Sequence, residues 1–277
     1  MWTVGNKPTL AQAISDIDSL VDHCNNLSAE HKPRLVRLYR QYDAKGFATD
    51  AEMLDLDDKK EVIHGQYISK MTGDKTLGYV RKELKAMVRQ CPMCGINEIC
   101  QLDHYMCESD YGQLACCRLN LVPTCGICNH KKSNDAYTNY VHAYYDTYPN
   151  VDFLITTITV KNNHVGMMFS IDQAAIGNAD LARRTQEQFT RIELDDRLHK
   201  AGILYLNNMI GGLTCADDRE LHTYLLSEEY YLRRKLGRNH WQTSILRGLL
   251  NCAEFNMQVI NAMRQPIRTI PVNGGGA

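Results

Sequence analysis

No run of about eighteen consecutive apolar residues occurs anywhere in the 277-residue chain, so the sequence offers no transmembrane helix. Excess positive charge is missing too: 31 Lys and Arg stand against 32 Asp and Glu, a formal net charge of −1. Without a global basic field, any nucleic-acid binding has to come from a local patch. The opening residues lack a basic segment followed by an apolar one and do not read as a secretory leader. A cytoplasmic location is the resulting expectation. There is no phosphate-binding glycine loop, no helicase signature and no internal repeat. What remains is a globular composition, 44% hydrophobic and 23% charged, sufficient for one large domain or two ordinary ones.

Cysteine, by contrast, is abundant. The chain has 11, and all but three lie between Cys91 and Cys128. Such clustering in a long chain without a leader points to metal rather than to disulfides. Cys24, Cys215 and Cys252 are isolated and read as ordinary buried thiols.

Helical patterning dominates the first part of the chain. Thr9 can cap a helix carrying Leu10, Ile14, Ile17, Leu20 and Val21 at helical spacing. Ser28 can start a second helix that tolerates Pro33 in its opening turns. Thr49-Asp50-Ala51-Glu52 fits a capping box. Gly73-Asp74 reads as a break, and a further helix through Tyr79, Val80, Leu84, Met87 and Val88 leads to Cys91. Residues 91–134 carry strand-like pieces at Ile99–Tyr105 and Leu119–Thr124, and His130–Asn134 reads as a helix end or loop. A hairpin is expected from Val151–Val160, Asn162-Asn163 and Val165–Ile171. From about Asn178 the chain is helical again: Leu181–Leu206, Glu220–Leu236 and His240–Arg264, the last with Ile245, Leu249, Cys252, Ala253 and Met257 in one apolar stripe. The tail from Pro271 reads as disordered.

Two Cys-x-x-Cys pairs, Cys91/Cys94 and Cys125/Cys128, offer four thiolates suited to tetrahedral zinc, two from each knuckle. The thirty residues between the pairs exceed ribbon spacing, so a segment containing Asp103-His104 must loop out. Cys100, Cys107, Cys116 and Cys117 lie in that segment outside any such pair and read as packing residues or free thiols.

The order Cys91-Pro92-x-Cys94-Gly95, Leu102-Asp103-His104-Tyr105, Asn120-Leu121-Val122-Pro123 and Cys125-x-x-Cys128-Asn129, followed by Lys131 and Lys132, resembles the HNH, or ββα-metal, nuclease family in its four-cysteine form. The resemblance spans about 45 residues, with Val141–Asp146 and Asp152–Leu154 as a weaker extension. It implies a hairpin followed by a helix, stapled by zinc and presenting a catalytic Mg²⁺ or Mn²⁺. It assigns His104 as general base, whose imidazole titrates near neutrality. Asp103, on the opposite side of the strand, is the implied cation ligand. Asn120 is implied to hold the hairpin loop and orient His104, and Asn129 to complete the cation site through its amide oxygen. Two positions depart from the common pattern. Asn129 stands where many members have His, making an HNN variant, and a neutral oxygen ligand favours a hard cation. Met106-Cys107-Glu108 stands where relatives often have Pro and Lys, removing a positive charge near the scissile phosphate.

Other signals stay open. Lys131 and Lys132, and Arg81, Lys82, Lys85 and Arg89 on the entering helix, are phosphate contacts or solvated charges. Arg233, Arg234, Lys235 and Arg238 form an exposed helix face, a phosphate contact or a partner surface. Tyr137, Tyr140, Tyr144, Tyr145 and Tyr148 are core packing or base-stacking residues. His130 and His142 read as satisfied polar residues.

The expected fold class is α+β, mainly α-helical. A helical region at 1–74 precedes a zinc-stapled module at 75–150, a β-hairpin at 151–177 and a helical region at 178–277. The resemblance implies a metal-dependent endonuclease acting on DNA before RNA. It is similar to nuclease subunits of prokaryotic anti-phage systems, some of which work beside a separate ATPase. Cutting both strands with one site per chain needs a homodimer or a second event, and no membrane partner is expected. A non-catalytic zinc-binding adaptor for nucleic acid or protein is the alternative, and a restriction enzyme with its own target sequence a third. Asp103-His104 discriminates the first two, because an adaptor has no need of the pair.

Overall fold

The computed structural model describes residues 3–72 and 75–264, so the break expected at Gly73-Asp74 and the tail from Pro271 lie outside the described residues. The chain is α+β and mainly helical, with two two-stranded antiparallel sheets among the described residues. None of its described helices is long and apolar enough to cross a membrane. The chain divides into two compact units, Met1–Phe153 with Ile171–Leu194, and Leu154–Ser170 with Asp195–Ala277. The N-terminal helices and the cysteine-rich segment thus share one unit, while the β-hairpin joins the C-terminal helices.

The first unit opens with α1 (Leu10–Asp22) and α2 (His31–Lys45). Thr9 caps α1 in a capping box with Gln12, and Ala13, Ile17 and Leu20 turn inward. Leu35, Leu38, Tyr39 and Tyr42 form the buried face of α2, which ends on left-handed Gly46. The capping box at Thr49 and Glu52 forms as well, but starts only the four-residue α3 (Asp50–Met53), which passes into a 3₁₀ stretch. Next, α4 (Lys60–Gln66) continues into a π-helical turn, Tyr67–Met71. Such turns concentrate at functional sites, and this one brings Tyr67 beside His104. The helix α5 (Gly78–Ala86) leads to the cysteines. Arg118, buried at the heart of the unit, donates to Asp16 at 2.8 Å and to Glu83 at 2.9 Å, clamping the loop before the second strand to α1 and α5.

Strands β1 (Gln101–His104) and β2 (Leu121–Thr124) pair antiparallel, with His104 opposite Leu121 and Gln101 opposite Thr124. The helix α6 (Gly126–Lys132) follows at once and packs on β1. Both strands thus lie between the two cysteine pairs, and the helix starts within the second pair.

In the second unit, β3 (Leu154–Lys161) and β4 (His164–Ile171) form the expected hairpin. Asn162 and Asn163 both adopt positive φ, as a two-residue turn of this twist requires. Buried and outward positions alternate along both strands. Two short helices of the first unit come next, α7 (Gln173–Ile176) and α8 (Ala179–Arg191), the latter capped by Asn178.

Two sequence expectations for the C-terminal half are corrected. The stretch Leu181–Leu206 is interrupted: α8 ends at Arg191 and α9 (Leu194–Gly212) begins anew. Glu193 between them has φ +50°, a left-handed conformation that cannot continue a right-handed helix. After α10 (Asp218–Leu236), the stretch His240–Arg264 also divides, into α11 (Trp241–Leu250) and α12 (Met257–Arg264). Asn256 accepts from the Val259 backbone at 3.1 Å and restarts the chain as a helix, so Cys252 and Ala253 lie in the turn, not on a continuous stripe. Gly248 on α11 faces β3 so closely that a Cβ would stand 2.5 Å from the Thr156 carbonyl oxygen, and Ser244 of the same helix donates to the Leu154 carbonyl.

Candidate functional site

The two Cys-x-x-Cys segments converge. The sulfurs of Cys91, Cys94, Cys125 and Cys128 all lie within 4.8 Å of one another and all four residues are buried. Local backbone chemistry explains the convergence. Gln90 and Glu98 bridge the base of the first knuckle, the Gly95 amide donates to the Cys91 carbonyl at 2.7 Å, and Gly95 takes φ +66°, which glycine tolerates best. Cys125 caps α6, its sulfur accepting from the Cys128 amide at 3.4 Å. The Ile96 amide and the Asn97 side chain point at the sulfurs of Cys94 and Cys125.

The donor set fits zinc. Sulfurs about 2.3 Å from one ion in a tetrahedron stand about 3.8 Å apart, and Cys94 and Cys125 are 3.9 Å apart. Four buried thiols this close cannot all ionise unaided: sulfur–sulfur contacts, with Cys125 foremost, push Cys91 and Cys128 up. A divalent cation removes that conflict. Among the described residues this is the one group of three or more His, Cys, Asp or Glu ligand atoms clustered this tightly. Of the other cysteines in the segment, Cys116 and Cys117 are packed inside, Cys107 lies against Ser109 and Asn134, and exposed Cys100 accepts from the Gly126 amide.

The knuckles anchor β1, and β1 ends at His104. The imidazole is buried. Its Nε2 lies 3.0 Å from the Ala115 carbonyl oxygen, which can only accept, so Nε2 carries the proton and Nδ1 keeps its lone pair. Nδ1 in turn lies 3.2 Å from Glu108 Oε2. The Tyr67 ring meets the imidazole edge-on at 4.4 Å. Burial pushes the His104 pKa down to about 4, and pushes Glu108 upward, opposed by His64. A cavity of about 200 Å³ lies alongside, lined by Asp103, His104, Glu108, Asn129 and Asn134 among others.

Asn120 sits fully buried at the far end of the loop joining the strands. Its Oδ1 accepts from the Met106 amide at 2.8 Å and from the Tyr42 hydroxyl at 3.0 Å, and its Nδ2 donates to the Met106 carbonyl at 3.0 Å. It therefore closes the loop that follows His104. Tyr42 extends this network: His142 Nδ1 accepts from the Tyr144 amide, so its Nε2, 3.0 Å from the Tyr42 oxygen, is the protonated nitrogen and donates. Burial pushes His142 well below the ordinary histidine range.

Asp103 and Asn129 line the same cavity, each with one polar atom engaged by a neighbour. Asp103 Oδ1 accepts from Lys132 Nζ at 3.0 Å, and Lys132 also donates to the His104 carbonyl at 2.7 Å. Burial pushes the Asp103 carboxyl up, and Lys132 opposes that. Asn129 donates to the Gln101 side chain at 2.8 Å. Lys132 occupies Asp103 Oδ1 and Asn129 gives its Nδ2 to Gln101, so a hard cation at these two side chains would use Asp103 Oδ2 and Asn129 Oδ1, beside an ammonium that already neutralises much of the carboxylate charge. Lys132 is accordingly neither of the things its sequence context offers: it is buried, not solvated, and turned inward, not toward phosphate. Lys131 pairs with Glu193, while Arg81 and Lys85 both donate to the Cys100 carbonyl.

Sequence reasoning passed over His64, Tyr67, Tyr42 and the Ala115 carbonyl, none of which stands near His104 in sequence or in a motif. Glu108 was visible only as a departure from pattern. No protein-family model matches the chain, and neither a curated protein nor a solved structure matches it.

Proposed function

We propose that this chain is a zinc-stapled HNH-type endonuclease that hydrolyses phosphodiester bonds, DNA before RNA, with His104 as general base. The observation that carries the reading is the fixed tautomer of His104. The Ala115 carbonyl holds Nε2–H, leaving Nδ1 as an acceptor beside Glu108 and a cavity at the end of the strand that zinc anchors. Structural Zn²⁺ at Cys91, Cys94, Cys125 and Cys128 supplies rigidity, not chemistry. Water entering the cavity gives its proton to Nδ1, and the Ala115 carbonyl stabilises the imidazolium that results. Asn120 keeps the loop closed and so fixes the imidazole against β2. Asp103 Oδ2 and Asn129 Oδ1 would hold a Mg²⁺ or Mn²⁺ ion, which would supply charge stabilisation at the phosphate, and no step is routed through it.

One observation favours a second reading, a zinc-binding adaptor without catalysis: the Asp103 carboxylate is already neutralised by Lys132. A place as the effector subunit of an anti-phage system, with an ATPase partner or as a homodimer, rests on the sequence resemblance alone. Incubating the purified chain with supercoiled plasmid and Mg²⁺ or Mn²⁺ separates the readings. Nicking by the wild type that His104→Ala abolishes, with zinc content unchanged, supports the nuclease. Equal nicking by both proteins removes His104 as base, and absence of nicking under every cation and added partner leaves the adaptor.

A further inference from the structure

A second cavity, of about 230 Å³, opens in the first unit and shares no lining residue with the one beside His104. His104 and Tyr105 are consecutive and each lines a different cavity, as side chains alternating across the end of a strand do. Among the tyrosines that read in sequence as core packing or base stacking, Tyr140 and Tyr144 are buried, whereas Tyr137 stands half-buried on this cavity's wall. Its ring lies at 26° to that of Phe47 with centroids 6.2 Å apart, and it meets Tyr105 edge-on at 5.6 Å. Cations stand beside the rings. Arg183 is about half exposed and uses Nη2 alone, on Asp180 and on the Thr138 carbonyl, so its Nη1 and Nε donate to no described residue. Lys45 pairs with Glu52 and lies 5.2 Å from the Phe47 centroid. With Arg184 there are three cations against Asp146 and Asp180, an excess of one positive charge on the lining of a chain whose formal net charge is −1.

We propose that this cavity binds one nucleotide, an unpaired base against the Tyr137 and Phe47 rings and its phosphate at Arg183, with Lys45 beside it. Every base has a π-face, so stacking on an aromatic ring accepts any of the four, and a guanidinium gives phosphate strong charge-assisted hydrogen bonds. The volume falls below the roughly 300–1,000 Å³ of drug-sized sites, which suits a single ring system better than a longer ligand. A base inside a duplex has both faces covered by its neighbours and cannot enter. The same chemistry is offered by a free mononucleotide and by an unpaired nucleotide within a strand. The site stands on its own geometry, and neither form needs His104 or the nuclease reading.

The test is binding to the full zinc-loaded chain without added Mg²⁺ or Mn²⁺. The four nucleoside 5′-monophosphates are titrated by ligand-observed NMR, with ribose 5-phosphate as the baseless control. A labelled oligothymidylate and its abasic counterpart are titrated by fluorescence anisotropy. Wild type binds nucleotides in preference to ribose 5-phosphate, and the oligothymidylate in preference to the abasic strand. Tyr137→Ala and Arg183→Gln each weaken that binding about tenfold or more. Zinc content and circular dichroism confirm that each variant is folded. Mononucleotides that bind as tightly as the oligonucleotide identify a free nucleotide as the ligand, and a strand that binds at least about tenfold tighter identifies an unpaired nucleotide within it. The site is overturned if the folded wild type binds no nucleotide in either form, if the baseless controls bind equally well, or if binding survives either variant. Tyr137-dependent binding without plasmid nicking sinks the nuclease reading and leaves the site. Nicking that His104→Ala abolishes, alongside nucleotide binding indifferent to Tyr137, sinks the site and leaves the nuclease.

Discussion

Lys132 shows how one side chain can determine what a neighbouring group is able to do. Its ammonium is nearly inaccessible and bridges the Asp103 carboxylate and the His104 carbonyl, tying α6 to β1 at the point where the strand ends. Removing one partner of a buried pair leaves the other charge uncompensated, at a cost of about 3–5 kcal/mol. Lys132→Met is therefore expected to lower the stability of the first unit by that amount in urea unfolding. The double variant Lys132→Met/Asp103→Asn should recover most of the loss. A single variant as stable as wild type would show that the carboxylate finds other compensation. None of this was legible in sequence, where Lys131 and Lys132 look interchangeable. Helical phase separates them: Lys132 turns toward β1 and Lys131 toward Glu193.

At the scale of elements, the segment from Cys91 to Lys132 has two four-residue strands and a seven-residue helix. Elements so short do not hold their shape alone, because helix nucleation and hairpin closure cost more than a few backbone bonds return. The thiolate cluster supplies the missing constraint. Stripping zinc with a strong chelator should unfold this segment, losing helical signal and exposing the cysteines to a thiol reagent, and Cys91→Ser should do the same. Retention of native stability with four reactive thiols would remove the metal from the structural account. The knuckles, both strands and the Asn-Asn hairpin were readable in advance because each depends on local spacing. The breaks at Glu193 and Asn256 were not, because the apolar periodicity runs through both and only backbone conformation and capping reveal them.

For the molecule as a whole, acid is the sharpest probe. His104 and His142 are buried and their pKa values are depressed, His104 to about 4 against an ordinary value of 6.5. The unfolded chain therefore binds protons that the folded chain refuses. Stability is fully present above pH 6.5 and falls as pH drops toward 4, by about 3 kcal/mol for His104 alone. Unfolding midpoints measured between pH 7 and pH 4.5 should follow that slope, and His142→Gln should flatten it. A midpoint that does not move across this window would mean that both rings are solvated.

Sequence alone determined the four-thiol cluster able to bind zinc, since Cys-x-x-Cys pairs can be read without coordinates. It also determined the α+β class and singled out Asn120, which locks the loop. Tertiary structure decided which partners those groups meet. Lys132 reaches Asp103 across 29 residues, Tyr42 reaches Asn120 across 78, and His142 reaches Tyr42 across 100. Contacts so distant in the chain leave no periodicity behind, because they are fixed by which faces pack together and not by the spacing of residues along any one element.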